Sequence, residues 1–253
     1  WFMINKKGIS CADQAPYVGY YRWLCPSKKK VRDYIKELIR PYLDLELLSG
    51  IHFDYIRYPD VILPIDLQKK YGIDQYKELD EYDFCYCSDC RDLFYQKTGL
   101  DIHRDFSDEE ALLWKQFRYD NINQLVNELS EYVRSYSKKI SAAVFPTPEI
   151  ALKLVRQEWK KWDLDIVFPM LYHRFYHKDI EWIGQGIIEG KDIINPKIEY
   201  CAGLHLPFFE NSHELIKAIE ICRDRNCEGV SFFGNSPFDF YSVLKDYINC
   251  RKE

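Results

Sequence analysis

The sequence lacks any apolar run approaching the roughly 20 residues that a membrane-spanning helix requires, and no signal peptide is visible at its start. It also lacks a glycine-rich phosphate loop of the GxGxxG or Walker type, which disfavours a nucleotide-binding sheet. The six histidines show no HxH or HExxH spacing, so a metal-dependent hydrolase or deacetylase is the least favoured class. We therefore predict no transmembrane segment and no cofactor.

An excess of basic charge is also missing. Lysine and arginine total 35 against 40 aspartate and glutamate residues, giving a net charge of −5, so we predict no nucleic-acid partner. The 253 residues, 47% of them hydrophobic, suit one large domain spanning residues 1–253. Because the chain begins with Trp1, we expect that residues upstream have been lost, and the missing signal peptide does not decide the location. The sequence does not predict an oligomeric state.

Apolar, β-branched-rich runs alternate with helical patterns, which predicts βαβ units and a mainly parallel sheet of the α/β class. The predicted strands are residues 1–5, 50–57, 139–146, 165–172, 198–205 and 229–234. The predicted helices are residues 28–40, 107–138, 149–162, 211–226 and 238–250, with a short helix at 89–97. We therefore expect six strands separated by helices.

Local residue patterns set the ends of three predicted helices. Ser107 and Glu110 form a capping-box sequence at the start of the longest helix. Asn211 is placed to cap the helix that follows it. Pro41 is expected to interrupt the first helix, because proline lacks a backbone donor and clashes with the preceding turn.

Six strands do not close an eight-stranded barrel. Either the sheet is open and doubly wound, or two βα units precede Trp1; the missing phosphate loop favours the incomplete barrel. Residues 59–106 separate a strand from its helix, whereas βα loops usually have about 2–6 residues. Because βα loops lie on the C-terminal face of a barrel, where active sites form, we expect this insertion to wall or cover a cleft.

The segment Gly50 to Pro59, GIHFDYIRYP, is the most informative part of the chain. Because strand side chains alternate, His52 and Asp54 are expected on the same face. An aspartate in the middle of an apolar strand must have partners or a function, since burying it unpaired has a large desolvation cost. A buried pair of Asp54 with Arg57 or His52 that holds the barrel together is the structural alternative.

This segment resembles the fourth-strand signature of the bacterial glycosyl-hydrolase-like family 10 proteins, relatives of the large barrel glycosidase groups. Trp1 and Phe2 resemble the end of that family's third strand. Four further stretches resemble the family in order and spacing, namely Leu24 to Pro26, Ile140 to Pro146, Gln157 to Trp162 and Asp165 to Tyr172. The resemblance implies a (β/α)8 barrel of the TIM type, with the first two βα units missing from this chain and a long inserted βα loop at about 59–106.

The resemblance also implies a glycoside hydrolase. Such enzymes use two carboxyl groups, one to protonate the leaving oxygen and one as nucleophile or base. Asp54 is the candidate nucleophile or transition-state stabiliser, and Glu149, which follows the strand at 139–146, is the candidate acid. Glu149 could instead be an acidic residue that the dipole favours in the first turn of a helix. Asp60 and Glu210 are further candidates.

Substrate-binding groups are expected near strand ends, because these positions form the site in barrels and sugars need hydrogen bonds and aromatic platforms. With 20 tyrosines in the chain, such platforms are plentiful. The predicted substrate-binding residues are His52, Arg57, Tyr58, Tyr172, His173, His205 and Asn235.

The chain has nine cysteines, an odd count that argues against a disulfide scaffold. Cys85, Cys87 and Cys90 have the close spacing that zinc sites use, but a structural zinc ion needs four ligands, and only His103 or a distant cysteine could be the fourth. A disulfide within the insertion and three reduced thiols under a short helix are the alternatives. We expect the cluster to shape the cleft rather than to take part in chemistry.

Two functions fit these observations. The first is a glycoside hydrolase that acts on an oligo- or polysaccharide, which we expect in the periplasm or outside the cell. The alternative is a non-catalytic carbohydrate-binding barrel. They differ in whether a second carboxylate faces Asp54 across an open cleft.

Overall fold

The computed structural model of the chain describes residues 1–250 and contains a sheet of five parallel strands. The strands are β1 Gly50–Phe53, β2 Lys139–Val144, β3 Ile166–Pro169, β4 Glu199–His205 and β5 Gly229–Phe233. They lie side by side in chain order and form a half-barrel. The predicted α/β class is confirmed, as are five of the six predicted strands.

Residues 1–5 do not belong to this sheet, so the prediction of a sixth parallel strand there was wrong. Phe2 instead pairs antiparallel with Leu24, inside the N-terminal segment. Met3 is 1% exposed and packs into the core. An apolar, strand-like pattern indicates that a segment is extended, but it does not distinguish a parallel partner from an antiparallel one.

The two faces of the sheet have different environments, as strand β2 illustrates. Ile140, Ala142 and Val144 are 0% exposed, whereas Ser141 and Ala143 between them are partly exposed. Side chains of a strand alternate between the two faces of its sheet. One face is therefore packed against helices, and the other faces an open cavity.

The helices that cover the buried face follow the strands along the chain. The α-helices of residues 1–250 are α1 Lys29–Leu43, α2 Ile65–Lys70, α3 Ser88–Thr98, α4 Asp108–Arg134, α5 Pro148–Val155, α6 Trp182–Lys191, α7 Ser212–Asp224 and α8 Phe240–Asn249. Short 3-10 helices occupy Trp159–Lys161, His173–Tyr176 and Leu206–Phe208. None of the helices within residues 1–250 combines the length and apolar character needed to cross a membrane.

The predicted N-terminal caps of α4 and α7 are confirmed. The Ser107 hydroxyl accepts a hydrogen bond from the Glu110 N–H, and the Glu110 carboxylate accepts one from the Ser107 N–H at 3.0 Å. The Asn211 side chain accepts a hydrogen bond from the Glu214 N–H at 3.1 Å. Each cap satisfies backbone donors that have no partner inside the helix.

Two predicted helix boundaries were wrong. Helix α1 continues through Pro41 and ends two residues later, at Leu43. The helix predicted at 149–162 ends at Val155, because Arg156 adopts a left-handed conformation with φ of 59°.

Helix α6 was not predicted, because its sequence contains three glycines, which lower helix propensity. Packing against the residues around β3 and β4 explains two of them. A Cβ at Gly186 would lie 2.7 Å from Leu171 Cδ2, and a Cβ at Gly190 would lie 2.7 Å from Tyr200 Cε2. The glycines let the helix approach the sheet closely, and this tertiary contact outweighs their weak propensity.

The insertion between β1 and α4 contains α2 and α3 and is anchored by a buried charge network. Asp83 accepts hydrogen bonds from Arg118 of α4, from Arg156 at 3.4 Å and from the Tyr86 hydroxyl at 2.6 Å. Arg156 also donates to both carboxylate oxygens of Glu78, at 3.0 and 2.6 Å. The side chains of Arg118 and Arg156 are both 1% exposed. The network therefore fastens the insertion to two elements of the barrel.

Glu78 makes the stability of the protein sensitive to acid. Burial raises the pKa of Glu78, but the hydrogen bonds and charges of Arg156 and Lys115 outweigh burial and lower it to about 2. The pKa of a glutamate in the unfolded chain is higher, about 4.3. The ionised Glu78 therefore stabilises the folded protein above about pH 4.3, and this stabilisation is lost as the pH falls toward 2. We expect Glu78→Gln to cost about 2–3 kcal/mol at neutral pH, measured by urea denaturation.

Urea denaturation repeated at several pH values supplies the control for this prediction. The free energy of unfolding of the Glu78→Gln variant should fall less steeply than that of the wild type between about pH 4.5 and 2. Glu81→Gln, which removes an exposed partner of Lys7, should leave the wild-type slope nearly unchanged. Equal slopes for the wild type and Glu78→Gln would contradict the assignment.

Candidate functional site

An open cavity of about 620 Å³ lies against the sheet face that the helices leave uncovered. The strands and the residues directly after them contribute His52, Asp54, Ser141, Ala143, Phe145, Ile166, Phe168, Met170, Gly203, Ser231, Phe232 and Phe233. The walls are completed by Tyr21, Tyr55, Arg57, Asp60, Pro64, Leu67, Tyr172, Phe175 and Tyr176. Because Pro64 and Leu67 belong to the insertion, the insertion forms part of the wall, as the sequence led us to expect.

Asp54 lines this cavity, but it does not lie inside a strand. Strand β1 ends at Phe53, and Tyr55 has a positive φ of 54°, so the predicted extent of this strand to residue 57 was wrong. The Asp54 carboxylate is exposed and accepts a hydrogen bond from the Tyr55 N–H at 2.8 Å. The desolvation argument therefore does not apply, and the carboxylate is free to meet a ligand in the cavity.

Arg57 pairs with Asp60 and not with Asp54. Arg57 Nη1 donates to Asp60 Oδ2 at 2.9 Å, and the two side chains are only 6% and 4% exposed. The Arg57 guanidinium also lies 5.2 Å from the ring centres of both Tyr55 and Phe145. Burial raises the pKa of Asp60, while the charge of Arg57 acts in the opposite direction. This ion pair places a second carboxyl group in the wall of the cavity.

His52 lies on the cavity face of β1, as the alternation of strand side chains predicted. Its Nδ1 is 2.9 Å from the Ser141 hydroxyl on the neighbouring strand, and its ring meets Phe168 edge to face at 5.2 Å. Burial lowers the pKa of His52, although the Asp54 carboxylate acts in the opposite direction. A neutral imidazole held in this way can exchange hydrogen bonds with a ligand hydroxyl.

Aromatic rings form the wall on the side of β4 and β5. Tyr172 and Phe233 stack with ring centres 6.2 Å apart and an interplanar angle of 11°, and His205 lies 5.1 Å from the Tyr172 ring. Burial raises the pKa of Tyr172, and the charge of Asp54 adds to this effect. Phe233 is 62% exposed. Flat apolar rings beside a carboxylate suit a ligand that has both apolar faces and hydroxyl groups.

Five of the predicted site residues do not line the cavity, and His205 is one of them although it lies beside the Tyr172 ring. Glu149 is exposed in the first turn of α5, the position that the helix-dipole alternative described. Tyr58 is 0% exposed and its hydroxyl is buried in the core. His173 is 5% exposed and packs on the rings of Phe208 and Phe209. Asn235 is exposed beyond β5. Asp60 and Glu210 were the further candidates for the acid. Asp60 lies in the cavity wall, whereas Glu210 pairs with Arg174 at the surface.

Sequence reasoning missed several of the aromatic residues that line the cavity. Phe233 occupies the end of β5, so the rule that selected other strand ends could have found it. Phe175 lies in the 3-10 helix after β3, close to the predicted Tyr172. Tyr21 comes from the N-terminal segment, and only the tertiary fold brings it beside Arg57, at 3.4 Å.

Comparisons with known proteins relate this chain to a single family. The family model described as "Glycosyl hydrolase-like 10" matches residues 1–200. No curated protein is significantly similar to the chain.

Two of the solved structures that the chain resembles are distant likenesses. One is a D-tagatose 3-epimerase-like protein, with 13% identity, a TM-score of 0.36, and coverage of 93% of this chain and 84% of that one. The other is 3-keto-D-glucoside 4-epimerase from E. coli, with 9% identity, a TM-score of 0.35, and coverage of 88% and 85%. At these identities and TM-scores, neither likeness bears on the reaction.

Proposed function

Since the chain belongs to the glycosyl hydrolase-like 10 family, we propose that it is a glycoside hydrolase that cleaves an oligo- or polysaccharide in the cavity beside Asp54. The observation that carries the proposal is the exposed Asp54 carboxylate, directly after β1, in a cavity of about 620 Å³ with aromatic walls. The ends of parallel strands are where barrel enzymes place their catalytic groups. A cavity of this size accommodates a few sugar rings.

Asp54 acts in this proposal as the nucleophile or as the base that activates water. Both roles need an ionised carboxylate that reaches the sugar, and Asp54 is exposed and has no ion pair within residues 1–250. Tyr172 and His52 border the same carboxylate and can hold sugar hydroxyls beside it. The stacked rings of Tyr172 and Phe233 provide a platform for the apolar face of a sugar.

Asp60 is our assignment for the general acid, in preference to Glu149. A general acid must be protonated before it reacts, so glycosidases raise the pKa of that carboxyl group by burial. Asp60 lines the cavity and its pKa is raised, because burial outweighs the opposing charge and hydrogen bond of Arg57, whereas Glu149 does not line the cavity. The charge of Arg57 then stabilises the carboxylate that forms when Asp60 gives up its proton.

Leaving-group dependence tests this assignment. We expect Asp60→Asn to slow the hydrolysis of natural oligosaccharides by about 10²–10⁴-fold, the usual contribution of general acid catalysis. The loss should be much smaller for dinitrophenyl glycosides, whose leaving group needs no proton. The ratio of the two rates does not depend on the folded fraction, so it holds even if the variant is less stable. A comparable leaving-group-dependent loss in Glu149→Gln would return the role to Glu149.

The function itself is tested by incubating the protein with a panel of oligosaccharides, polysaccharides and aryl glycosides. Release of reducing ends or of the aryl group measures hydrolysis, and isothermal titration calorimetry on the same glycans measures binding. A glycan that is both bound and hydrolysed supports the proposal. Binding without hydrolysis across the panel would contradict it.

A non-catalytic carbohydrate-binding barrel is the second candidate. The observation that favours it is the ion pair between Asp60 and Arg57, which leaves Asp54 as the one unpaired carboxylate among the described residues that line the cavity. Binding needs only the aromatic platform and hydrogen bonds. The calorimetric arm of the same experiment separates the two candidates.

We also infer that the half-barrel is part of a (β/α)8 barrel. The edge strands β1 and β5 each have only one strand partner within residues 1–250. Parallel sheets occur almost only where both faces are covered, and the cavity face of this sheet is open. Closure of the barrel would cover that face, and the strand ends around Asp54 would remain as the mouth of the site.

A further inference from the structure

Four cysteine side chains converge at a place away from the cavity. Cys85 and Cys87 lie in the insertion directly before α3, Cys90 lies in the first turn of α3, and Cys25 comes from the segment before α1. Their four sulfur atoms all lie within 4.8 Å of one another. The sequence left the fourth member open between His103 and a distant cysteine, and Cys25 is that cysteine.

The spacing of the sulfur atoms fits a shared ion and does not fit a disulfide. The sulfur atom of Cys25 is 3.5 Å from that of Cys90 and 3.7 Å from that of Cys87. Four thiolates placed tetrahedrally at about 2.3 Å from a zinc ion are about 3.8 Å apart. A disulfide would require about 2.05 Å.

Backbone N–H groups donate to two of the sulfur atoms in the cluster. The Cys90 N–H donates to the Cys87 sulfur, and the Ile4 N–H donates to the Cys85 sulfur at 3.5 Å. Cys87 precedes the N-terminus of α3, whose dipole favours negative charge. Backbone donors of this kind orient and stabilise the ligands of metal sites.

We propose that Cys25, Cys85, Cys87 and Cys90 bind one Zn²⁺ ion in a closed structural site. Four soft thiolate ligands select zinc and leave no position for water or substrate. Each of the four residues is at most 3% exposed, so the ion has no access to a ligand in the cavity. The zinc ion joins the start of α3 in the insertion to the segment before α1, as the Asp83 network joins the insertion to α4 and to Arg156.

Metal analysis of the purified full chain tests this proposal. We expect about one zinc ion per chain by inductively coupled plasma mass spectrometry, and a large loss of zinc in Cys25→Ser. Cys11→Ser is the matched control, because Cys11 is also 0% exposed but lies outside the cluster, and it should keep the zinc. Chelation under unfolding conditions should release the zinc, and the metal-free protein should unfold at a lower temperature.

Cobalt substitution provides a second readout that does not depend on the variants folding. Wild-type protein loaded with Co²⁺ should show the sulfur-to-cobalt charge-transfer bands and the visible bands of a tetrahedral thiolate site. Four free thiols without metal, a disulfide within the cluster found by mass spectrometry, or stoichiometric iron in place of zinc would each overturn the proposal. None of these readouts depends on glycan hydrolysis, so they test the zinc site independently of the proposed function.

Discussion

Asp54→Asn should reduce glycoside hydrolysis by about 1,000-fold or more while leaving the protein folded. Removing the nucleophile or the essential base of an enzyme has effects of this size or larger on kcat. The measurement is the initial rate on the best glycan of the wild-type panel. Thermal unfolding followed by circular dichroism should show nearly the wild-type Tm.

The structure explains why this substitution separates catalysis from folding and binding. Asparagine has the shape of aspartate and keeps the oxygen that accepts the Tyr55 N–H at 2.8 Å. The Asp54 side chain is exposed and forms no ion pair within residues 1–250, so no buried charge is left without a partner. Glycan affinity should therefore change little, and the loss should appear in kcat and not in KM.

Asp66→Asn is the matched control for this prediction. Asp66 lies in α2 of the insertion, is about as exposed as Asp54, and pairs with His177 at 3.2 Å without lining the cavity. Its variant should hydrolyse the glycan at close to the wild-type rate. Wild-type activity in Asp54→Asn would exclude Asp54 as nucleophile or base. A loss of activity in both variants would show that the effect comes from a disturbed cavity wall and not from the Asp54 carboxylate.

Much of the fold could be predicted because its signals are local. The strands β1 to β5 are short apolar runs, and the caps at Ser107 and Asn211 depend on residues within one helical turn. The errors came from contacts that are distant in sequence. Helix α6 forms in spite of its glycines because it packs on Tyr200 and Leu171, and the break at Arg156 accompanies its pairing with Asp83.

The position of the candidate site could be predicted from the sequence, but the ion pairs of its residues could not. The sequence identified Asp54 as the central acidic residue of the site but placed it in the middle of a strand, whereas β1 ends at Phe53, directly before it. It could not show that Arg57 selects Asp60, since either carboxylate lies within three residues of the arginine. In the same way, Cys25 could not be identified as the fourth member of the cysteine cluster, because only the fold brings it there.

Asp83→Ala should lower the free energy of unfolding by about 3–5 kcal/mol, the usual effect of removing one partner from a buried charge network. Arg118 and Arg156 are each 1% exposed, and Asp83 accepts hydrogen bonds from both. The variant leaves Arg118 without a carboxylate partner and removes the acceptor of the Tyr86 hydroxyl. Urea denaturation measures the loss, and the Tm should fall by about 10 °C.

Asp80→Ala is the control, because Asp80 lies in the same insertion but forms an exposed pair with Lys6, with both side chains at least 50% exposed. Its variant should lose at most about 1 kcal/mol, as exposed ion pairs do. A small effect for Asp83→Ala as well would show that water or another group compensates Arg118. A large effect confined to Asp83 would identify the network, together with the proposed zinc ion, as what holds the insertion against the barrel. Because Pro64 and Leu67 of that insertion wall the cavity, the network then also fixes the shape of the site beside Asp54.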